Sequence, residues 1–136
     1  MTTSATTLTL ESDLRKLADL QCSVDALCRD AGCDDSGTFQ LTLVVIEAVT
    51  NCIKHGYRGE PGHLITIDWN RTDDCIEIEI RDRGIPLPAD VLSRTTMPPP
   101  EAEGGRGWPM ILAWTDSARI ARIGDENVLN LTRRCQ

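Results

Sequence analysis

The chain is short of positive charge: fourteen lysines and arginines stand against twenty-one aspartates and glutamates, for a net charge of −7 at pH 7. A protein whose main task is gripping nucleic-acid phosphates carries the opposite balance, so direct nucleic-acid binding is not expected. No basic start leads into an apolar run, and no uninterrupted eighteen-residue apolar span stands out, so the sequence reads as lacking a signal peptide or membrane helix and as cytoplasmic. The six cysteines, Cys22, Cys28, Cys33, Cys52, Cys75 and Cys135, include no CxxC pair. They read as reduced thiols acting as small buried hydrophobes, with a metal site from Cys28, Cys33 and His63 as the lesser alternative. Internal repeats and low-complexity tracts are absent too. With 136 residues this predicts one domain, 1–136, long enough for a real core.

What the chain does have is the stretch LTLVVIEAVTNCIKHGY, Leu41 to Tyr57. Its apolar residues Leu43, Val44, Ile46, Val49 and Ile53 run round a helix, and Glu47, Asn51 and His55 interrupt them at steps of four. Such a step overshoots one turn by only about 40°, so carboxylate, amide and imidazole share one slowly winding stripe. On a largely buried helix that stripe must meet water or a ligand. Spacing alone leaves a solvated face and a pocket wall equally open.

The remaining elements follow in order. Thr6 to Leu10 is a short strand, and Ser12 is placed to cap a helix with apolar residues at Leu14, Leu17, Leu20, Val24, Leu27 and Ala31, ended by Gly32. Asp35 and Ser36 are candidate caps for the central helix, expected to stop near Gly56 in a left-handed turn. Beyond the link RGEPG, Ile65, Ile67 and Trp69 alternate on one strand face. Ile76, Ile78 and Ile80 do so on the next strand, and parity puts Asp82 on the isoleucine side. A core-facing acid needs a dedicated donor, and sheet ends are where ligands bind. Taken alone, though, an Asp before Arg83-Gly84 fits a turn better. Ile85 to Gly105 has little periodicity and three consecutive prolines, Pro98 to Pro100, which reads as a lid or binding loop. Gly104, Gly105, Arg106 and Gly107 then feed a short helix, WPMILAW, a weak sign of anion binding by backbone N–H groups. Two strands, Ser117 to Ile123 and Asn127 to Arg133, close the chain.

Taken together, Glu47-x3-Asn51-x3-His55-Gly-Tyr, Asp82-x-Gly84, a proline-rich lid, Gly104-Gly-Arg-Gly107 and a final strand bearing Thr132 resemble the Bergerat-fold (GHKL) ATPases. Among these, the pattern is most similar to the small anti-sigma-factor serine/threonine kinases of bacterial partner-switching systems, over nearly the whole chain. The resemblance implies an α/β, two-layer sandwich: a mixed, mostly antiparallel sheet with helices on one face, a histidine-kinase-like ATPase domain with its lid at about 85–105. It implies ATP and Mg²⁺ as cofactors, with Asn51 as the metal ligand and Glu47 as catalytic base. Asp82 would accept from the adenine amine, Gly84 would allow close approach, Gly105 and Gly107 would cradle phosphates, and Arg106 would stabilise charge. His55 would position phosphates or pack beside Glu47, and Thr132 would support adenine recognition.

The implied partners are an anti-sigma-factor antagonist (a STAS-domain protein), a sigma factor or other regulator, and a second copy in a possible homodimer. The chain departs from the pattern at Ile85-Pro86, where a further glycine is common, and at Trp108-Pro109; both bear on lid motion. Phosphoacceptor-histidine dimerisation helices are missing, so a complete sensor histidine kinase is not expected. The competing expectation is a non-catalytic module that holds nucleotide structurally and sequesters a protein partner.

Overall fold

The computed structural model describes residues 4–102 and 104–134. Five strands appear among them: β1 (Ser4–Glu11), β2 (Leu64–Arg71), β3 (Cys75–Asp82), β4 (Ser117–Ile123) and β5 (Glu126–Arg134). They lie in the order β1-β2-β3-β5-β4, and each neighbouring pair is antiparallel. The sheet is thus antiparallel throughout, without the parallel pairing a mixed sheet would contain. Helices α1 (Leu17–Asp30), α2 (Asp35–Asn51) and α3 (Gly107–Ala113) complete the two-layer sandwich.

Strand parity sets the core. Ile65, Ile67, Trp69, Ile76, Ile78 and Ile80 are all essentially inaccessible and pack with Leu20, Val24, Leu41, Val44, Val49 and Ile111 from the helices. The strand residues between them are polar, Thr66 and Asp68 on β2 and Glu77 and Glu79 on β3, and belong to the sheet's other face. Residues 35–56 are long and apolar enough to cross a membrane by length and composition alone. In the structure, seven residues of α2 are buried within the protein, which accounts for that hydropathy as core packing.

Local chemistry moved several helix boundaries. The sequence pointed to Ser12 as a cap, yet Asp13 accepts from the Arg15 N–H and α1 begins only at Leu17. Ser12 is instead fully buried: its hydroxyl donates to the Glu60 carbonyl at 2.7 Å and accepts from the His63 N–H at 3.0 Å. At α2 the cap is Asp34, which accepts from Gly37 N–H, not Asp35 or Ser36. The helix does not end left-handed at Gly56. Cys52–Gly56 forms a widened π-type turn closed by Tyr57 N–H to Cys52 O at 2.8 Å, and past the helix positive φ is first reached at Arg58 (55°) and Gly59 (79°).

That widened turn brings Gly56 against Gly84, just past β3. A Cβ on Gly84 would lie 2.4 Å from both the carbonyl carbon and oxygen of Gly56, a spacing that no side chain tolerates. Ile85 N–H donates to Gly56 O at 2.9 Å. Beside this contact the buried Tyr57 hydroxyl donates to Leu64 O at 2.8 Å and accepts from Arg83 N–H at 2.6 Å, tying the exits of α2 and β3 to the start of β2. Gly84→Ala is therefore expected to destabilise the domain by about 2 kcal/mol or more, read as a lower melting temperature; an unchanged melting curve would mean the two backbones separate freely.

Candidate functional site

Between α2 and the 85–105 segment lies a cavity of about 380 Å³, lined by Asn51, Lys54, His55, Gly56, Arg58, Ile85, Pro86, Leu87, Pro88, Val91, Arg94 and Trp108. A smaller recess of about 140 Å³ adjoins it, sharing Asn51, His55, Arg94 and Trp108 and adding Gly105, Gly107 and Pro109. None of the described residues lining either space is acidic, whereas Lys54, Arg58 and Arg94 are cationic. In a chain of net charge −7 this is a local reversal of sign that favours an anionic ligand, carried mainly by Lys54 and Arg58 because Asp90 pairs with Arg94 at 3.0 Å from outside the lining. Nothing in the sequence pattern had marked Lys54, Arg58 or Arg94, because only folding converges them.

The central stripe is kept, with one change. Asn51 is half-buried and ends α2, and His55 stands exposed on the widened turn at the mouth of both spaces. Glu47 is half-buried one turn earlier and meets the start of α3: a Cβ on Gly107 would lie 3.1 Å from Glu47 Oε2 and 3.6 Å from Asn51 Nδ2. Carboxylate, amide and glycine thus converge on one point. The Asn51 Nδ2 atom is buried and has no hydrogen-bond partner in the protein. Leaving such a group unmatched costs about 1–3 kcal/mol, and of the buried side-chain atoms in that state Asn51 Nδ2 belongs to a residue lining the cavity.

Asp82 is 5% exposed and is not a lining residue. It stands beside Gly56, a lining residue, where an added Cβ would sit 3.3 Å from its Oδ1, so the missing side chain at Gly56 is what leaves the carboxylate uncrowded on that side. The donor it needs is supplied internally: Gly84 N–H at 2.8 Å and Asn127 Nδ2–H at 3.0 Å both reach Oδ1. Cys52 lies beside it, and burial first, then the neighbouring Asp82 charge, pushes this thiol well above its ordinary range. Cys28 is pushed up to about 12, chiefly by burial. Cys22, Cys33 and Cys75 are also free thiols, Cys135 lies outside the described residues, and no group of three metal-ligating side chains gathers among the described residues, so the Cys28, Cys33 and His63 alternative fails.

Two expected residues are not brought into the cavity. Arg106 donates from its guanidinium to the carbonyls of Pro99, at 3.2 Å, and Pro100, clasping the proline triplet. Thr132 pairs with Glu77 on one side and Ser117 on the other, on the sheet face away from the isoleucines. The β5 residue beside Asp82 is Asn127, the direct register partner. Strand alternation puts Asn127 on the face of Leu129 and Leu131, and the sheet order sets it beside Asp82.

A helix-covered antiparallel sheet, a central helix carrying Glu47 and Asn51, and a cationic cavity under a long loop define an ATPase-type α/β sandwich. The chain belongs to the histidine kinase-like ATPase domain family, whose description matches residues 10–133. It is 38% identical over 84 residues to an anti-sigma F factor of Oceanobacillus iheyensis, covering 60% of this chain and 58% of that protein. It is 31% identical over 62 residues to the serine-protein kinase RsbW of Listeria innocua, covering 46% of this chain and 40% of that protein. The matched stretch thus spans 58% of the first relative's length and only 40% of the second's. A crystal structure of the RsbU and RsbW domains of a Mycobacterium tuberculosis protein superposes with a TM-score of 0.67 at 18% identity, over 97% of this chain and 32% of that one. That likeness concerns the fold.

Because the Asn51 amide Nδ2 makes no hydrogen bond within the protein, Asn51→Ala is expected to leave the melting temperature nearly unchanged. Calorimetric titration should meanwhile show ATP affinity falling by about tenfold or more. Equal affinity in the variant and the parent would remove Asn51 from the site.

Proposed function

We propose that this protein is an ATP- and Mg²⁺-dependent serine/threonine kinase and anti-sigma factor. It phosphorylates a STAS-domain anti-sigma-factor antagonist and sequesters a sigma factor or similar regulator in the cytoplasm. The observation that carries this reading is the convergence of Glu47, the unpartnered Asn51 amide and Gly107 beside a cavity whose charged lining is cationic. The names of the two relatives, an anti-sigma F factor and a serine-protein kinase, support its two halves.

The residues fit the groups they would hold. Asn51 can turn its amide oxygen inward by exchanging the two ends of the amide, and an oxygen ligand suits a hard ion that keeps several waters. Bound Mg²⁺ neutralises phosphate charge. Glu47, one turn away, would take the proton of an acceptor serine at a carboxylate oxygen. Gly105 and Gly107 leave room for phosphates because no side chain stands there, while His55, Lys54 and Arg94 supply donors. Asp82 would accept from the adenine amine past Gly56 and Gly84. The 85–105 segment would act as the lid, with Arg106 exchanging the Pro99 and Pro100 carbonyls for phosphate oxygens. Positioning and charge neutralisation make up most of phosphoryl transfer, so this short inventory suffices.

The decisive experiment is incubation with labelled ATP and the STAS-domain antagonist encoded nearby. Glu47→Gln keeps side-chain shape and removes the base, so it should bind ATP and partner as the parent does while phosphoryl transfer drops by about 10² or more. If the parent transfers no label to any such antagonist and Glu47→Gln behaves identically, the protein is a sequestering module and not a kinase.

A further inference from the structure

Sheet register places Arg122, Asn127 and Asp82 side by side across β4, β5 and β3: Arg122 pairs with Asn127, and Asn127 pairs with Asp82. The row sits at the cavity end of the sheet, and its hydrogen bonds have a direction. Arg122 donates from Nη1 to Asn127 Oδ1 at 3.2 Å and to Gly84 O at 2.8 Å. A guanidinium has donors only, so it holds the oxygen end of the Asn127 amide towards itself. The nitrogen end then points the other way, donating to Asp82 Oδ1 at 3.0 Å and to Ile85 O at 2.8 Å. With Gly84 N–H also on Oδ1, that carboxylate oxygen is held twice and the rotation of Asp82 is set.

We propose that Asn127, oriented by Arg122, is the positioning residue for base selectivity, holding Asp82 so that the site takes a purine bearing a 6-amino group over one bearing a 6-oxo group. The inference rests on the ATP-binding reading and deepens it. A carboxylate offers acceptors only, so a 6-amino edge meets it as a donor and a 6-oxo edge opposes it lone pair to lone pair. That difference discriminates fully only if the carboxylate cannot turn aside. Asn127 itself is 3% exposed and tethers Ile85, a lining residue of the cavity, together with Asp82 behind it, so wall and carboxylate form one unit. Without Arg122 the Asn127 oxygen and the Gly84 carbonyl both lose the guanidinium donor, so the amide is held at its nitrogen end only and grips Asp82 less firmly.

Equilibrium titration of ATP and inosine triphosphate with Mg²⁺ into the parent, Asn127→Ala and Arg122→Met tests this, with melting curves in parallel. The parent should prefer ATP. In both variants the ratio of the two affinities should shrink by about five- to tenfold, because ATP weakens while inosine triphosphate does not. Arg122 sits on the outer strand, so Arg122→Met reads out the effect even if Asn127→Ala fails to fold. Equal loss for both nucleotides, or an unchanged ratio, overturns the inference while leaving ATP binding intact. A parent that binds neither nucleotide overturns the ATP reading itself, and this inference with it.

Discussion

The contact on which the rest of the structure depends is between two glycines. Where α2 unwinds into its widened turn and β3 runs out, the Gly56 and Gly84 backbones meet more closely than any Cβ permits, and Ile85 N–H seals the junction on Gly56 O. Core packing brings the two layers together, but this contact sets how near the helix exit stands to the strand exit. Asn51 and His55 on one side, and Asp82 and Ile85 on the other, take their separation from it. Tyr57 holds the junction laterally through Arg83 and Leu64, so a cavity made of loops has a rigid floor.

Electrostatics then separate this cavity from the rest of an acidic surface. Elsewhere the cations are largely matched: Arg15 with Asp13, Arg29 with Asp25 and Asp35, Arg81 with Asp68. These pairs are mostly exposed and contribute little to stability. At the cavity, Lys54, Arg58 and Arg94 converge without an acidic residue in the described lining, although Arg94 is held from outside it by Asp90 at 3.0 Å. The Asn51 amide goes unmatched beside a helix whose buried apolar side chains each contribute about 1.5–3 kcal/mol. The core is therefore strong enough to carry this unpaired polar atom.

The two acids nearest the cavity differ in a way that suits different tasks. Glu47 is half-buried against Gly107, with its carboxylate open towards the start of α3. Asp82 is enclosed and already holds two donors on one oxygen. An open carboxylate suits proton transfer, and an enclosed, immobilised one suits recognition. The β4–β5 hairpin, far from the site in the chain, takes part through Asn127 and Arg122.

Periodicity alone determined much of this protein. The alternation of Ile65, Ile67 and Trp69, and of Ile76, Ile78 and Ile80, identified strand faces because side chains alternate strictly across a pleat, and the same parity turned Asp82 inward. The four-residue steps of Glu47, Asn51 and His55 defined a stripe because a helix repeats every 3.6 residues. What sequence could not decide was set by contacts distant along the chain. Ser12 looked like a cap until His63 and Glu60 claimed its hydroxyl, and Gly56 looked like a left-handed helix end until Gly84 required a widened turn instead. Thr132 and Asn127 both lie on one strand, five residues apart and therefore on opposite faces. Only the pairing of β3 with β5 decides that Asn127 stands beside Asp82, because register is a property of two strands and is written in neither one.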